Sequence, residues 1–390
     1  MMNKLELYDL IAGGEDSFTE FKRDVTQRTD FADEMIALAN TEGGRILVGV
    51  EDDGSISGVT DVRQTEEAII NIARDNSNPA LDVTIDSVDA DGHIVLVVLV
   101  PRRVGPPYED NSGRCYIRVG STKRRATPQE RARLLQLAGL VHFDETPVSR
   151  TSLNDFDVDA FGIYYERIFG QSLPDAEVPL GRMLENMRFL VEDLNSDKRL
   201  SVAGLLLFGK RPQDFMYHAR ISAVRWAGNE VGEDIIDRQE IIGRLSEQIE
   251  QAVAFCQRNT RLSTHIKAAR QEDVYQYPPP VLREAVVNAV AHRDYSLADA
   301  QTLLYIFDDR LEIRSPGPLP NSVTLDNIRT HYSKPRNELI ARVLFNLGYV
   351  NTLGSGVPRM IRLMRELDSP LPDFEVSSSQ FMVRLWGQRG

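Results

Sequence analysis

Ala39-Asn40-Thr41-Glu42-Gly43-Gly44-Arg45-Ile46-Leu47-Val48-Gly49-Val50-Glu51-Asp52 changes its periodicity at the glycine pair. Before the pair, Phe31, Met35, Leu38 and Ala39 recur at helical spacing. After it, Arg45 to Val50 reads as a buried strand and Glu51 to Gly54 as a turn. A helix that passes through two glycines into a strand is the start of an α/β unit. Gly43-Gly44 admits two readings. One is a helix end with positive φ, which needs no ligand. The other is a close backbone approach to a phosphate.

Working outward, Leu81 to Val88 and His93 to Val100 read as two strands joined at Asp89-Ala90-Asp91-Gly92, and Cys115 to Val119 as another. Thr127-Pro128-Gln129-Glu130 is a capping box with proline at the first helical position, so a helix runs on to about Leu137. These elements make residues 1–140 one domain. Residues 141–198 read as a linker and helical connector, with a helical apolar face at Leu180, Met183, Leu184, Met187 and Val191. Residues 199–390 make a further domain. Ala219 to Trp226 is strand-like, and Ile242, Leu245, Ile249 and Val253 mark an amphipathic helix. Val281, Leu282, Ala285, Val286, Ala289 and Val290 give another helical face. A hairpin follows (Thr302 to Phe307, Leu311 to Arg314), then a Pro/Gly loop from Ser315 to Pro320, then helices at Glu338 to Phe345 and Pro358 to Leu367. The fold class expected is α/β (α+β), in a multidomain chain.

A formal net charge of −13 argues against general coating of nucleic acid, but local fields decide contact with phosphate. Two windows are basic: Arg114 to Arg133 and Arg329 to Arg365 each hold seven Lys/Arg against one acid. No apolar run is long enough to span a membrane, and the N-terminus has no signal-peptide pattern, so a cytoplasmic protein is expected. The two cysteines give neither a disulfide framework nor a zinc cluster.

Glu15-Asp16-Ser17-Phe18-Thr19-Glu20-Phe21-Lys22-Arg23, the Ala39 to Asp52 block and Arg118-Val119-Gly120-Ser121-Thr122 together resemble the Schlafen/AlbA-type domain, in that family's order. The resemblance implies a nucleic-acid-binding domain. In some Schlafen proteins it is a metal-dependent RNA endonuclease built on three carboxylates, whose places here match Glu15, Glu20 and Asp52. Such oxygen ligands would suit Mg²⁺ or Mn²⁺. Phosphate contacts are expected from Lys22, Arg118, Ser121, Lys123, Arg124 and Arg125. Tyr108 and Tyr116 lie nearby and read as packing or as stacking platforms. Pairing of two such domains implies a homodimer.

Arg283-Glu284-Ala285-Val286-Val287-Asn288-Ala289-Val290-Ala291-His292-Arg293-Asp294-Tyr295 resembles the N-box helix of GHKL ATPases in a divergent form. Glu284 and Asn288, four apart, share one helix face. The resemblance implies that Glu284 activates water and Asn288 holds Mg²⁺ with ATP. Ser315 stands where the family's adenine-binding Asp belongs, with Gly317 in its glycine place, so weak and poorly selective adenine recognition is expected. Gly354-Ser355-Gly356 resembles the second glycine loop, which cradles phosphates. Arg359, Arg362 and Lys334 to Asn337 are expected to help neutralise a triphosphate. The whole layout is similar to a bacterial and archaeal family described as transcriptional regulators. The functions implied are a nucleotide-responsive nucleic-acid-binding regulator, a metal-dependent ribonuclease, or an interaction scaffold with a vestigial ATP site; a weak ATPase activity is compatible with the first.

Overall fold

The computed structural model describes residues 2–232, 234–267, 270–320, 323–330, 334–350, 356–366, 369–377 and 379–387. The chain divides into two compact units, Met1–Val141 and His142–Gly390.

The first unit runs α1 (Lys4–Gly13), β1 (Thr19–Lys22), α2 (Arg28–Asn40), β2 (Gly44–Val48), α3 (Val62–Asp75), β3 (Thr84–Ala90), β4 (His93–Val100), β5 (Tyr116–Val119), β6 (Thr122–Arg125) and α4 (Pro128–Leu137). Four strands form one sheet in the order β1-β2-β4-β3, with β1 and β2 parallel and the other pairs antiparallel. Alternation along β2 and β4 sorts the core onto two faces. Ile46, Val48, Leu96 and Val98 pack with Phe31, Met35 and Leu38 of α2 and Ile69 and Ile72 of α3. Leu47, Val95 and Val97 pack with Leu7 of α1 on the other face. Each such fully buried aliphatic side chain contributes about 1.5–3 kcal/mol.

Helix α2 is buried on nearly every side, Glu34 and Asn40 included, because it lies between the sheet and the β5–β6 hairpin. The motif around the glycines explains how. Asn40 donates to the carbonyls of Tyr108 (2.8 Å) and Tyr116 (3.0 Å) and accepts from the Tyr108 N–H (2.8 Å). Thr41 accepts from the Arg118 backbone N–H at 3.0 Å. Gly43 has φ 76°, and a Cβ there would lie 2.7 Å from the Arg102 nitrogen. At Gly44 it would lie 2.5 Å from the Phe18 carbonyl oxygen. The close approach at this pair is therefore to the protein's own backbone.

The second unit continues with α5 (Val158–Phe169), α6 (Leu180–Asn186), β7 (Leu190–Glu192), β8 (Lys198–Leu200), α7 (Val202–Phe208), β9 (Ile221–Trp226), β10 (Ile235–Ile241), α8 (Leu245–Asn259), β11 (Leu262–Lys267), β12 (Arg270–Tyr275) and α9 (Pro279–Ala291). It closes with β13 (Thr302–Ile306), β14 (Arg310–Pro316), α10 (Glu338–Asn346), α11 (Gly356–Glu366), β15 (Asp373–Val376) and β16 (Gln380–Trp386). Six strands form a mixed sheet, β10-β9-β13-β14-β16-β15, in which only β9 and β13 run parallel. Ile221, Ala223, Leu304, Ile306, Leu311, Ile313, Val383 and Leu385 face α8 and α9 in one core. Phe156, Phe161, Tyr164, Phe189 and Phe208 belong to that same core, so residues 142–198 pack within this unit. The helical face expected as far as Val191 ends at Asn186. Arg188 takes φ 62°, and Leu190 to Glu192 turn into a strand paired with β8. Among the described residues, no helix is long and apolar enough to cross a membrane.

Candidate functional site

In the first unit three of the six expected phosphate ligands, Lys22, Arg118 and Lys123, are drawn into internal ion pairs. Arg118 leaves β5 toward the core, and its side chain has no exposed surface. It donates to the carbonyl oxygens of Asp16 (2.8 Å) and Thr19 (3.0 Å), to the Glu20 carboxylate (2.8 Å) and to Glu34 (3.1 Å). Lys22 pairs with Glu20 at 2.7 Å, and Lys123 with Glu34 at 2.9 Å and with Asp30. Glu34, on the helix the sheet and hairpin enclose, is the hub of this network. Burial raises its affinity for a proton, and Lys123 works against that shift.

Glu15, Glu20 and Asp52 are not drawn together as a metal centre. Among the described residues no group of three or more His, Cys, Asp or Glu side chains is placed to hold an ion. The reason is local. Glu20 is buried with its oxygens taken by Arg118 and Lys22, Glu15 accepts from the Phe21 N–H at 2.9 Å, and Asp52 stands exposed on the turn after β2. Of the basic loop, Arg124 pairs with Glu130 at 2.7 Å. Ser121 and Arg125 are exposed, and Arg125 makes no ion pair among the described residues. Tyr116 is buried against α2.

The second unit holds the opposite arrangement. Glu284, Asn288, Ser315, Gly317 and Gly356 line one cavity of about 130 Å³, walled by apolar side chains such as Ile313, Met360, Phe374 and Phe381. Pro278 and Pro279 open α9, whose apolar positions are buried, and its spacing brings Glu284 and Asn288 to the same wall. Asn288 donates to the Glu284 carboxylate at 3.2 Å. The first residue of α11 closes over this pair: a Cβ on Gly356 would fall 1.9 Å from the Glu284 oxygen. Burial pushes the Glu284 carboxyl above its ordinary range, against the bond from Asn288 and the charge of Arg359. At the other end the Ser315 hydroxyl donates to the Ala289 carbonyl at 2.8 Å. Gly354 and Ser355 lie outside the described residues.

Past α9 the chain is stapled to the segment before α10. Asp294 pairs with Arg336 at 3.1 Å, Arg336 donates to the Pro318 carbonyl, and Asn337 donates to the carbonyls of Ala291 (2.9 Å) and Arg293 (2.8 Å). Arg336 and Asn337, two of the expected triphosphate ligands, thus hold the cavity wall in place. Gly317 is required there, with φ 104° and no room for a Cβ beside Asp294.

Residues 15–127 match the family model "Schlafen, AlbA_2". Residues 299–385 match the model described as "Putative ATP-dependent DNA helicase recG C-terminal". The chain joins a Schlafen AlbA_2 domain to a RecG-like HATPase domain. Among solved structures it is similar to the DIP2311 protein from Corynebacterium diphtheriae, at 23% identity over 99% of this chain and 80% of that one, with a TM-score of 0.49. It is also similar to the N-terminal domain of a "Putative ATP-dependent DNA Helicase RecG-related Protein" from Nitrosomonas europaea, at 25% identity over 33% of this chain and 95% of that one, with a TM-score of 0.26. No curated protein matches the chain.

Three residues of these domains escaped the sequence reading. Glu34 of the AlbA_2 domain looks, by position, like any acid on an amphipathic helix. In the HATPase unit, Asp144 is fully buried and accepts from the N–H groups of Leu339 (2.8 Å) and Ile340 (3.1 Å), capping α10 from almost two hundred residues away. His292 lines the cavity one turn beyond Asn288. Only the last carries a local signal, the i, i+4, i+8 spacing of Glu284, Asn288 and His292.

Proposed function

We propose that this chain is a nucleic-acid-associated regulator whose HATPase domain takes up ATP with Mg²⁺. The observation that carries the reading is the convergence of Glu284, Asn288, Ser315, Gly317 and Gly356 on one apolar cavity. Apolar walls with a few polar groups at the ends suit a ligand with an aromatic base and a charged tail. The Asn288 amide oxygen is a hard ligand of the kind Mg²⁺ takes, and only a glycine at 356 lets α11 start this close to Glu284 and Asn288. Asn288 would hold the ion, which supplies neutralisation of phosphate charge when bound. Glu284, whose proton affinity burial raises, is the residue suited to take a proton from water. Helix α11 begins at Gly356 on the cavity wall, and a helix N-terminus favours an anion.

The AlbA_2 domain is the nucleic-acid-contacting part of this reading. Its β5–β6 hairpin exposes Ser121 at the tip and Arg124 and Arg125 along β6, a narrow surface for a backbone contact that reads no sequence. Calorimetric titration of the full chain with ATP, with and without Mg²⁺, tests the nucleotide half. Binding tightened by Mg²⁺ is the expected result. No heat, and no shift of the melting transition with ATP and Mg²⁺ together, would overturn it.

A further inference from the structure

The cavity contains a polar side chain that neither water activation nor ion holding uses. Glu284, Asn288 and His292 form a stripe along α9, and all three line the cavity. Gly356 covers the Glu284 and Asn288 end. At the far end the last residues of β14 lie along the final turn of the helix. Ser315 bonds to the Ala289 carbonyl at 2.8 Å, the Asp294 N–H donates to the Pro316 carbonyl at 2.8 Å, and Gly317 packs on Asp294. His292 follows Ala289, whose carbonyl Ser315 holds, by three residues, and both His292 and Ser315 line the cavity.

The hydrogen-bond roles here are restricted. The Ser315 proton is committed to Ala289, so toward the cavity the hydroxyl oxygen is an acceptor. The Gly317 N–H is committed to the Ser379 carbonyl at 2.7 Å. The His292 ring makes no hydrogen bond among the described residues. Burial and then the charge of Arg336 push its pKa down to about 4, so at neutral pH it is uncharged, with one N–H and one bare nitrogen. An acceptor oxygen beside a ring donor complements a base edge that presents an amine beside an acceptor nitrogen. Adenine has such an edge; guanine presents the O6 acceptor where the amine would be, against the Ser315 oxygen.

We propose that His292 reads the base of a bound nucleotide, donating to a ring nitrogen of adenine while Ser315 accepts from the exocyclic amine. This rests on the cavity being a nucleotide site. It also alters the expectation drawn from the sequence, since Ser315 with His292 selects adenine where Ser315 alone would not.

Calorimetry on the full chain with Mg²⁺ tests it. Wild type should bind ATP about tenfold or more tighter than GTP, the order expected for loss of one buried hydrogen bond with an unmatched partner. His292→Phe, which keeps volume and removes the donor, should bring ATP and GTP within about twofold, and His292→Gln should restore part of the preference. A ligand-side arm needs no folded variant: either 1-deaza-ATP or 7-deaza-ATP, which lacks one acceptor nitrogen, should bind wild type about tenfold more weakly than ATP. Wild type that binds ATP and GTP equally, or loses nothing with either analogue, overturns the role of His292 and leaves the cavity reading standing. Wild type that binds no nucleotide removes the cavity reading itself.

Discussion

The AlbA_2 cluster and the HATPase cavity each hold buried carboxylates, and they treat them in opposite ways. In the first, Glu20 and Glu34 are matched by Arg118, Lys22 and Lys123, and the cluster ties the β5–β6 hairpin to both β1 and α2. In the second, Glu284 is buried with one neutral partner, Asn288, at the wall of a cavity. A charged group whose partners are all internal is part of the fold. A buried carboxylate left with an amide at the wall of a cavity retains capacity for a ligand. Residue type and motif membership do not distinguish these cases; the partner list does.

The sharpest way to break the contrast is to unpair the first cluster. Arg118→Ala leaves two buried carboxylates facing each other, and the AlbA_2 domain is expected to lose about 3–5 kcal/mol in denaturant unfolding. A loss under 1 kcal/mol would mean the cluster is not structural.

The second largest effect concerns Asp144. Burial outweighs the two N–H bonds from α10 and raises its pKa to about 6 from 3.8. The folded state therefore binds this proton more tightly than the unfolded state. Stability from this group is greatest below the unfolded value near pH 4 and is lost as pH rises through 6, by on the order of 3 kcal/mol. Unfolding of Asp144→Asn, measured beside wild type from pH 4 to 7, should lack that part of the slope. Parallel curves would contradict it.

These two residues also mark where the sequence stops being legible. The capping box at Thr127 set the start of α4, with Glu130 bonded back as its position implies, because capping is a contact over three residues. Helix α9 and the hairpin after it were readable for the same reason, since Glu284 and Asn288 share a face whatever surrounds the helix. The Arg118–Glu34 and Asp144–Leu339 contacts join residues 84 and 195 positions apart, and no local pattern announces them. Arg118 sits in a basic run, and in sequence it is indistinguishable from its exposed neighbours. The fate of residues 142–198 was hidden likewise, because their aromatic side chains find partners only in the folded unit.

The smallest effect sharpens the contrast from the surface. If phosphate contact rests on the exposed side of the β5–β6 hairpin, Arg125→Ala should flatten the dependence of log K on log salt for duplex DNA by about 0.9, the share of one phosphate. Loss of two or more contacts' worth would mean that the buried cluster opens toward the ligand.

The central claim is that the HATPase cavity is a ligand site and the AlbA_2 cluster is not. Isothermal titration of ATP into wild type and Asn288→Ala, each with and without Mg²⁺, tests it most directly. The account predicts that Mg²⁺ tightens ATP binding in wild type and has no such effect in Asn288→Ala, with the melting curves of the two apo proteins alike. An equal response to Mg²⁺ in both proteins, or none in wild type, would contradict it.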